Sequence, residues 1–176
     1  MNKFDRYIGI DPGKSGAIAH IGSDGHTQTV NMPDNVEKLN DYLMWMKDIS
    51  DCPIACIEKV GVWRTDANDG KSFGIEKMIR NMNEITTVLR IVKIPFIQVY
   101  PIQWMTYLQL RMQREERADR KRRFKTVAQA RFPNISVTLN NCDALLIMQF
   151  LAFKCWREPE FVLNKLPQSI VDTLGL

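Results

Sequence analysis

The stretch Arg6-Tyr-Ile-Gly-Ile-Asp11-Pro-Gly13 decides how the rest of the sequence is interpreted. Its apolar run from Arg6 to Ile10 predicts a first β-strand, and Asp11-Pro12-Gly13 predicts the turn that ends it. An acidic side chain therefore stands at the carboxyl end of the first strand. In α/β proteins this is the edge of the sheet at which ligands bind.

Further strands are predicted along the chain. Ser15 to Gly22 and His26 to Met32 flank the turn residues Ser23-Asp24-Gly25, which indicates a hairpin. Pro53 to Glu58 is a short, nearly continuous apolar run that predicts a buried central strand, again closed by an acid. Phe96 to Tyr100 predicts the last strand. We expect the first strand and the Pro53–Glu58 strand to lie side by side, with their carboxyl ends at one edge.

Helical spacing of apolar residues fills the segments between and after the strands. The predicted helices are Asn35 to Ile49 with Asn35 or Asp34 as cap, Gly74 to Val92, a short helix opening at Pro101, a basic helix ending at Phe132-Pro133, and Asp143 to about Trp156. This order predicts an α/β fold: a mixed sheet of three antiparallel strands and then parallel strands, flanked by helices. We expect residues 1–176 to form one domain, with 158–176 as a partly helical C-terminal tail.

Length and composition exclude several classes of protein. The chain has 176 residues, of which 45% are hydrophobic and 25% charged, so neither a disordered chain nor a large multidomain enzyme is expected. Four cysteines without a Cys-x-x-Cys pair argue against structural zinc, and no secretion signal is recognisable. The longest apolar stretch, 144–153, is too short to span a membrane. A reducing, cytoplasmic setting with no membrane partner is therefore expected.

The charge distribution is uneven. The segment from Arg111 to Arg131 contains nine basic and three acidic residues, a net charge of +6. Because the whole chain carries +4, the remainder sums to −2. A concentrated basic band suits a polyanion such as nucleic acid. The alternative is an ordinary solvated helix face.

Three acids are expected to converge at the same sheet edge. Asp11 and Glu58 end two strands, and Asp143 opens an apolar helix that can pack on the sheet. Carboxylates brought this close repel one another unless a cation lies between them, and hard oxygen ligands favour Mg²⁺ or Mn²⁺. Taken singly, Asp11 is also consistent with a turn residue, Glu58 with an exposed strand end and Asp143 with a helix-capping acid.

These residues, in this order, resemble the RuvC-type Holliday junction resolvases of the RNase H-like superfamily, especially the bacteriophage-type branch. Tyr7 to Gly13 resembles the family's first-strand motif, Ala55-Cys-Ile-Glu58-Lys-Val60 its second acidic strand, and Asp143-Ala-Leu-Leu-Ile147 its C-terminal helix. Further similarities are Lys71-Ser-Phe-Gly74, the Pro-x-x-Trp signature Pro101 to Trp104, and Arg131-Phe-Pro133. The resemblance spans roughly residues 6–154.

The resemblance implies a homodimeric, divalent-metal-dependent endonuclease that nicks four-way DNA junctions symmetrically, leaving 5′-phosphate and 3′-hydroxyl ends. It implies that two Mg²⁺ ions, which Mn²⁺ can replace, are held by Asp11, Glu58 and Asp143, with the helix from Gly74 to Val92 at the dimer interface. Lys121 is the implied basic catalytic residue. A cytoplasmic location in a bacterium or a phage-infected host would follow. The implied DNA-binding residues are Lys14, Lys59, Trp63, Lys71, Phe73, Arg120, Lys121, Arg122 and Lys125.

The sequence also departs from the family pattern. Many members carry a fourth acid three residues before the last Asp, where this chain has Asn140, whose carbonyl oxygen remains a possible metal ligand. Gly61 stands where members place a stacking Phe, so Trp63 or Phe73 is the candidate aromatic. Two alternatives stay open: a nuclease with a broader range of branched or flap DNA substrates, and a junction-binding module that does not cut.

Overall fold

The computed structural model describes residues 4–59 and 72–175, with side chains of the helix that begins at Ser72 described from residue 76 onward. The strands in these ranges are β1 (Arg6–Asp11), β2 (Ala17–Gly22), β3 (Thr27–Asn31), β4 (Pro53–Glu58) and β5 (Phe96–Val99). The helices are α1 (Val36–Asp48), α2 (Ser72–Ile91), α3 (Pro101–Tyr107), α4 (Arg117–Arg131), α5 (Cys142–Arg157), α6 (Pro159–Leu163) and α7 (Gln168–Leu174).

The strands form one mixed sheet in the order β3-β2-β1-β4-β5. β1 pairs antiparallel with β2, and β2 with β3, whereas β1–β4 and β4–β5 are parallel. In the β1–β4 register Ile10 lies opposite Ile57, so Asp11 and Glu58 each stand one residue beyond this pair. The predicted α/β fold class is confirmed, and the two strand-end acids share one edge of the sheet.

Two apolar layers bury the sheet. Because successive strand residues point to opposite faces, Ile8 and Ile10 of β1 face the layer that includes α1 and α2. Tyr7 faces the other layer, which α3, α4, α5 and α6 complete. The strands are hydrophobic almost throughout since both faces are covered by helices.

Helix α5 is the central element of the second layer. It contacts β1, β2 and β4, and nearly all its side chains from Cys142 to Leu151 are buried. Such a helix is hydrophobic on every side because it lies inside the protein. Its first turn is thereby fixed against the sheet, and Asp143 is carried there with it.

The predicted boundaries shift by one or two residues. β2 begins at Ala17 because the preceding Gly16 N–H closes a turn with the Gly13 carbonyl at 2.9 Å. β5 ends at Val99 because Tyr100 is the N-cap of α3. Asn35, one of the two predicted caps, caps α1: its side chain accepts from the Lys38 N–H. None of the helices in the described ranges is long and apolar enough to cross a bilayer.

Candidate active site

Three predicted side chains come together at the carboxyl edge of β1 and β4. Lys121 of α4 places its Nζ 2.6 Å from Asp143 Oδ2 and 3.5 Å from Asp11 Oδ2. Asp11 is only 9% exposed and Asp143 only 8%, although both are acids. Buried carboxylates are stabilised by a compensating charge, and Lys121 provides part of it. The end of β1 and the start of α5 therefore meet as predicted, and Lys121 lies between their acids.

Glu58 belongs to the same group through a different partner. The indole Nε1 of Trp104 donates a hydrogen bond to Glu58 Oε1 at 2.9 Å. Trp104 is 1% exposed and packs against Phe124 of α4, with ring centroids 5.3 Å apart. Because that indole is held on several sides, it fixes the orientation of one Glu58 oxygen. It also links β4 to the helix that carries Lys121.

Two carboxyl groups in the cluster have raised pKa values. Burial, together with the charges of Glu58 and Asp143, raises the pKa of Asp11 from 3.8 to about 8. Burial and the charge of Asp143 raise the pKa of Glu58 from 4.5 to about 7, against the opposing Trp104 hydrogen bond and Lys121 charge. One lysine therefore does not compensate all the carboxylates at this edge.

Lys121 itself remains a cation at neutral pH. Burial disfavours its charge, but the carboxylates of Asp143 and Asp11 outweigh burial and raise its pKa. A lysine with a raised pKa is a poor general base. It is suited instead to hold a proton at Nζ and to neutralise or attract negative groups.

The donor set fits a divalent cation in chemistry and charge. Carboxylate oxygens are the ligands that Mg²⁺ and Mn²⁺ prefer, and a bound cation would favour the charged forms of Asp11 and Glu58, which burial first and the neighbouring acids second disfavour. Within the described ranges, no three Asp, Glu, His or Cys side chains are arranged in the geometry of a metal centre. Lys121 takes the place between Asp11 and Asp143, so metal binding requires it to move.

Asn140 and Asn141 differ in their surroundings. Asn140, the predicted fourth ligand, is exposed in the turn before α5, and its backbone N–H donates to Thr138 Oγ1. Asn141 is buried: its Oδ1 accepts from Thr138 N–H, and its Nδ2 donates to Ser136 O and Thr29 Oγ1. Asn141 thus fixes the start of α5, while the role of Asn140 as a ligand stays a prediction.

The predicted DNA-binding residues are spread over several surfaces. Lys14 is exposed in the turn after β1, and Lys59 lies over the Tyr100 ring, its Nζ 5.0 Å from the centroid. On α4, Arg122 and Lys125 are exposed, whereas Arg120 is half-buried and lowers the pKa of Glu58 by its charge. Trp63, Lys71 and the side chain of Phe73 lie outside the described residues.

Two contacts at the site are not marked by any pattern in the sequence. Trp104 entered only as part of a signature, and nothing in the sequence paired it with Glu58 across 46 positions. Asn81 of α2 accepts a hydrogen bond from the Gly13 N–H at 2.8 Å and so ties the turn after Asp11 to that helix. Asn81 is a half-buried polar residue beside the apolar stripe of α2, and no local pattern pairs it with Gly13.

No protein-family model matches the chain, and no curated protein is significantly similar to it in sequence. Thermus thermophilus RuvC in complex with a Holliday junction substrate is structurally similar, with a TM-score of 0.56 and 12% identity over 87% of this chain and 96% of that one. A second T. thermophilus RuvC structure is similar with a TM-score of 0.55 and 12% identity, over 92% of this chain and 98% of that one. The chain has a RuvC-like α/β fold.

Proposed function

We propose that this protein is a divalent-metal-dependent endonuclease that nicks four-way DNA junctions, as a member of the bacteriophage-type branch of the RuvC-type resolvases. The observation that carries the proposal is the cluster of Asp11, Asp143 and Lys121, with Glu58 on the adjacent strand end. It lies at the ligand-binding edge of a RuvC-like fold, with the basic helix α4 beside it. A cytoplasmic setting in a bacterium or infected host belongs to the same proposal.

In this mechanism Asp11, Glu58 and Asp143 hold two Mg²⁺ ions, or Mn²⁺ in their place, with Asn140 as a further oxygen donor. Bound divalent ions supply an activated water and stabilisation of the leaving 3′ oxygen, which gives 5′-phosphate and 3′-hydroxyl ends. Trp104 orients Glu58. Lys121 keeps its proton and, once it has moved from its place between Asp11 and Asp143, would attract the scissile phosphate toward the carboxylates.

The test is cleavage of a synthetic four-way junction with Mg²⁺ or Mn²⁺, alongside a flap of the same sequence. Paired, symmetric nicks in the junction support the proposal. Equal cutting of flap and junction indicates the broader branched-DNA nuclease instead. Tight junction binding with no cutting at any metal concentration indicates the non-cleaving module.

Trp104→Phe is expected to slow metal-dependent cleavage by about 10- to 100-fold, as loss of a residue that orients a metal ligand commonly does. The phenyl ring keeps the packing against Phe124 but removes the hydrogen bond to Glu58. Cleavage rates measured across a Mg²⁺ titration, at a temperature where both proteins are folded, should show a higher apparent dissociation constant for Mg²⁺. The melting temperature should also fall, because the smaller ring leaves a gap at a buried position. Trp45→Phe on the exposed side of α1 is the control; equal rates in both variants would contradict the positioning role.

Charge reversal on the outer face of α4 should weaken DNA binding more than chemistry. Arg122 and Lys125 are exposed beside a surface cavity also lined by Thr126 and Gln129. In the Arg122→Glu/Lys125→Glu variant we expect weaker junction affinity and a salt dependence reduced by about 0.9 in the log–log slope per lost phosphate contact. Binding isotherms in EDTA at several salt concentrations measure both.

The matched control reverses two lysines on α1, Lys38 and Lys47, which gives the same change in net charge away from α4. If the control lowers the affinity and the salt slope as much as the α4 variant does, net charge alone accounts for the effect. The α4 face would then have no specific part in binding.

Symmetric nicking requires two active sites, so the proposal includes a homodimer. Ile91 at the end of α2 is 67% exposed and Val36 at the start of α1 is 42% exposed, and both line a groove of about 480 Å³ between these helices. Ile91→Glu should convert the dimer to a monomer in light scattering, because a charge buried in an apolar interface is costly. Trp156→Glu, at an equally exposed position on α5, is the control. A wild-type monomer in the presence of junction DNA would overturn this part.

A further inference from the structure

A second cavity lies beside the open edge of the sheet. Among the described strands β5 is the last on that side, and a cavity of about 710 Å³ separates it from the C-terminal tail. Its walls come from β5, from the end of α2, and from the segment between Lys165 and Leu174 that includes α7. This volume is in the range of ordinary ligand-binding sites. The tail thus forms one wall of a pocket.

Every charged side chain in the described lining of the cavity is basic, and apolar residues such as Leu89, Ile94 and Ile170 make up much of the rest. Four basic side chains from three separate parts of the chain line it, and no acidic side chain is among its described lining residues; the four are Lys59, Arg90, Lys93 and Lys165. Like charges are not gathered around one space without cost, because they repel one another. Their arrangement favours an anionic occupant.

The aromatic and amide residues of the lining indicate which kind of anion the cavity binds. Tyr100, 43% exposed, and Phe96 present aromatic rings, and the lining also includes the amides Gln98 and Gln103. Basic groups already lie over the rings, with Lys59 Nζ 5.0 Å from the Tyr100 centroid and Arg90 Cζ 5.7 Å from that of Phe96. Cations interleaved with aromatic faces are the combination that binds single-stranded nucleic acid, by phosphate contacts and base stacking. An acidic peptide uses the cations and leaves the aromatic faces without a role.

The cavity opens next to the candidate active site. Lys59 directly follows Glu58, and its N–H donates to the Val99 carbonyl at 2.7 Å. Tyr100 caps the helix whose Trp104 holds Glu58. A strand that leaves the carboxylates along this edge therefore meets Lys59 and Tyr100 first.

We propose that this cavity binds a short unpaired segment of the DNA strand that passes through the candidate active site. The inference rests on the proposed nuclease function and specifies its substrate: a branched DNA with unpaired nucleotides near the cut. The phosphates contact Lys59, Lys93 and Lys165, and a base stacks on Tyr100. The C-terminal tail closes the far side of the site.

The experiment uses a fluorescent hexathymidylate in EDTA, where binding is measured apart from cleavage. We expect Lys93→Glu/Lys165→Glu to weaken its binding by about 10-fold or more and to lower the log–log salt slope by about 1.4, since each lost single-strand phosphate contact removes about 0.7. Tyr100→Leu should weaken binding by about 10-fold through lost stacking. The Lys38→Glu/Lys47→Glu control should change affinity less than about threefold, since neither lysine is among the described residues that line the cavity.

A hexamer carrying 5-iodouracil shows by photocrosslinking which part of the protein it contacts. Photocrosslinking to the peptide that contains Tyr100 supports the proposal. Crosslinks confined to α4, equal losses in the cavity and control variants, or stronger binding of an oligoglutamate than of the hexamer would overturn it. A protein that binds the hexamer at Tyr100 but never cuts junctions refutes the nuclease function and still supports the single-strand site.

Discussion

Asp11→Asn is expected to abolish junction cleavage and, at the same time, to make the metal-free protein more stable. The substitution removes a negative metal ligand, for which we expect a rate loss of about 10³-fold or more. It also removes a carboxylate whose pKa is raised to about 8 because burial, Glu58 and Asp143 all disfavour its charge. Asparagine has nearly the same shape and no charge, so the repulsion is relieved while Lys121 keeps its ion pair with Asp143.

The gain in stability from Asp11→Asn should depend on pH. Between pH ~4 and ~8 the folded protein keeps a proton on Asp11 that the unfolded chain has released, so wild-type stability falls as pH rises through that range. The advantage of Asp11→Asn should therefore increase up to about pH 8 and level off above it. Thermal unfolding in EDTA measures this difference in stability, because each kcal/mol changes the melting temperature by about 2–4 °C.

Addition of Mg²⁺ supplies the internal control. It should raise the melting temperature of the wild type, because an ion that binds only the folded state stabilises it, and should have little effect on the variant. Junction affinity in EDTA should be nearly unchanged. A variant that cuts at near-normal rates, or one that melts well below the wild type at pH 8, would show that Asp11 is a structural turn residue.

Gly9→Ala is expected to destabilise the whole fold. A Cβ at Gly9 would lie 2.3 Å from the carbonyl oxygen of Ala144 and 2.3 Å from the amide nitrogen of Met148. Both atoms belong to the backbone of α5, which can make room only by moving away from β1. We expect a loss of about 3 kcal/mol or more in the free energy of unfolding, at the upper end for overpacking.

Gly22→Ala is the matched control in β2. There the nearest atoms to a new Cβ are Asp24 Oδ1 at 2.7 Å and Arg6 Nη2 at 3.3 Å, both at the ends of flexible side chains. Its cost should stay within about 1 kcal/mol, typical of surface changes. Denaturant titrations of the two variants test the difference, and similar midpoints would contradict the close contact between β1 and α5. Because Asp143 is carried by α5, Gly9→Ala should also impair cleavage more than Gly22→Ala.

The acids of the site were predictable because each marks the end of a local pattern. Asp11 and Glu58 interrupt apolar strands, and parallel strands place such ends at one edge. Asp143 opens an apolar helix that has to be buried against that sheet. Here periodicity along the chain and one general rule of sheet topology were sufficient.

Other parts of the site depend on packing between distant segments. The burial of Phe124 and Ala128 sets the orientation of α4 about its axis. In that orientation Lys121 faces the carboxylates, whereas Lys125 is exposed. The Trp104–Glu58 hydrogen bond depends likewise on where α3 lies against β4. The cavity beside β5 forms only when the C-terminal tail packs back against that edge.

The fold class, the succession of strands and helices, the three acids and the basic band all follow from the order of the residues. These are local properties, because strand and helix periodicities and turn residues act over a few positions. The position of Lys121 between Asp143 and Asp11, the hydrogen bond from Trp104 to Glu58 and the cavity lined by basic residues beside them depend on how the elements pack together. Such contacts join residues far apart in the chain, and they are set by the close packing of α4, α5 and the tail against one sheet.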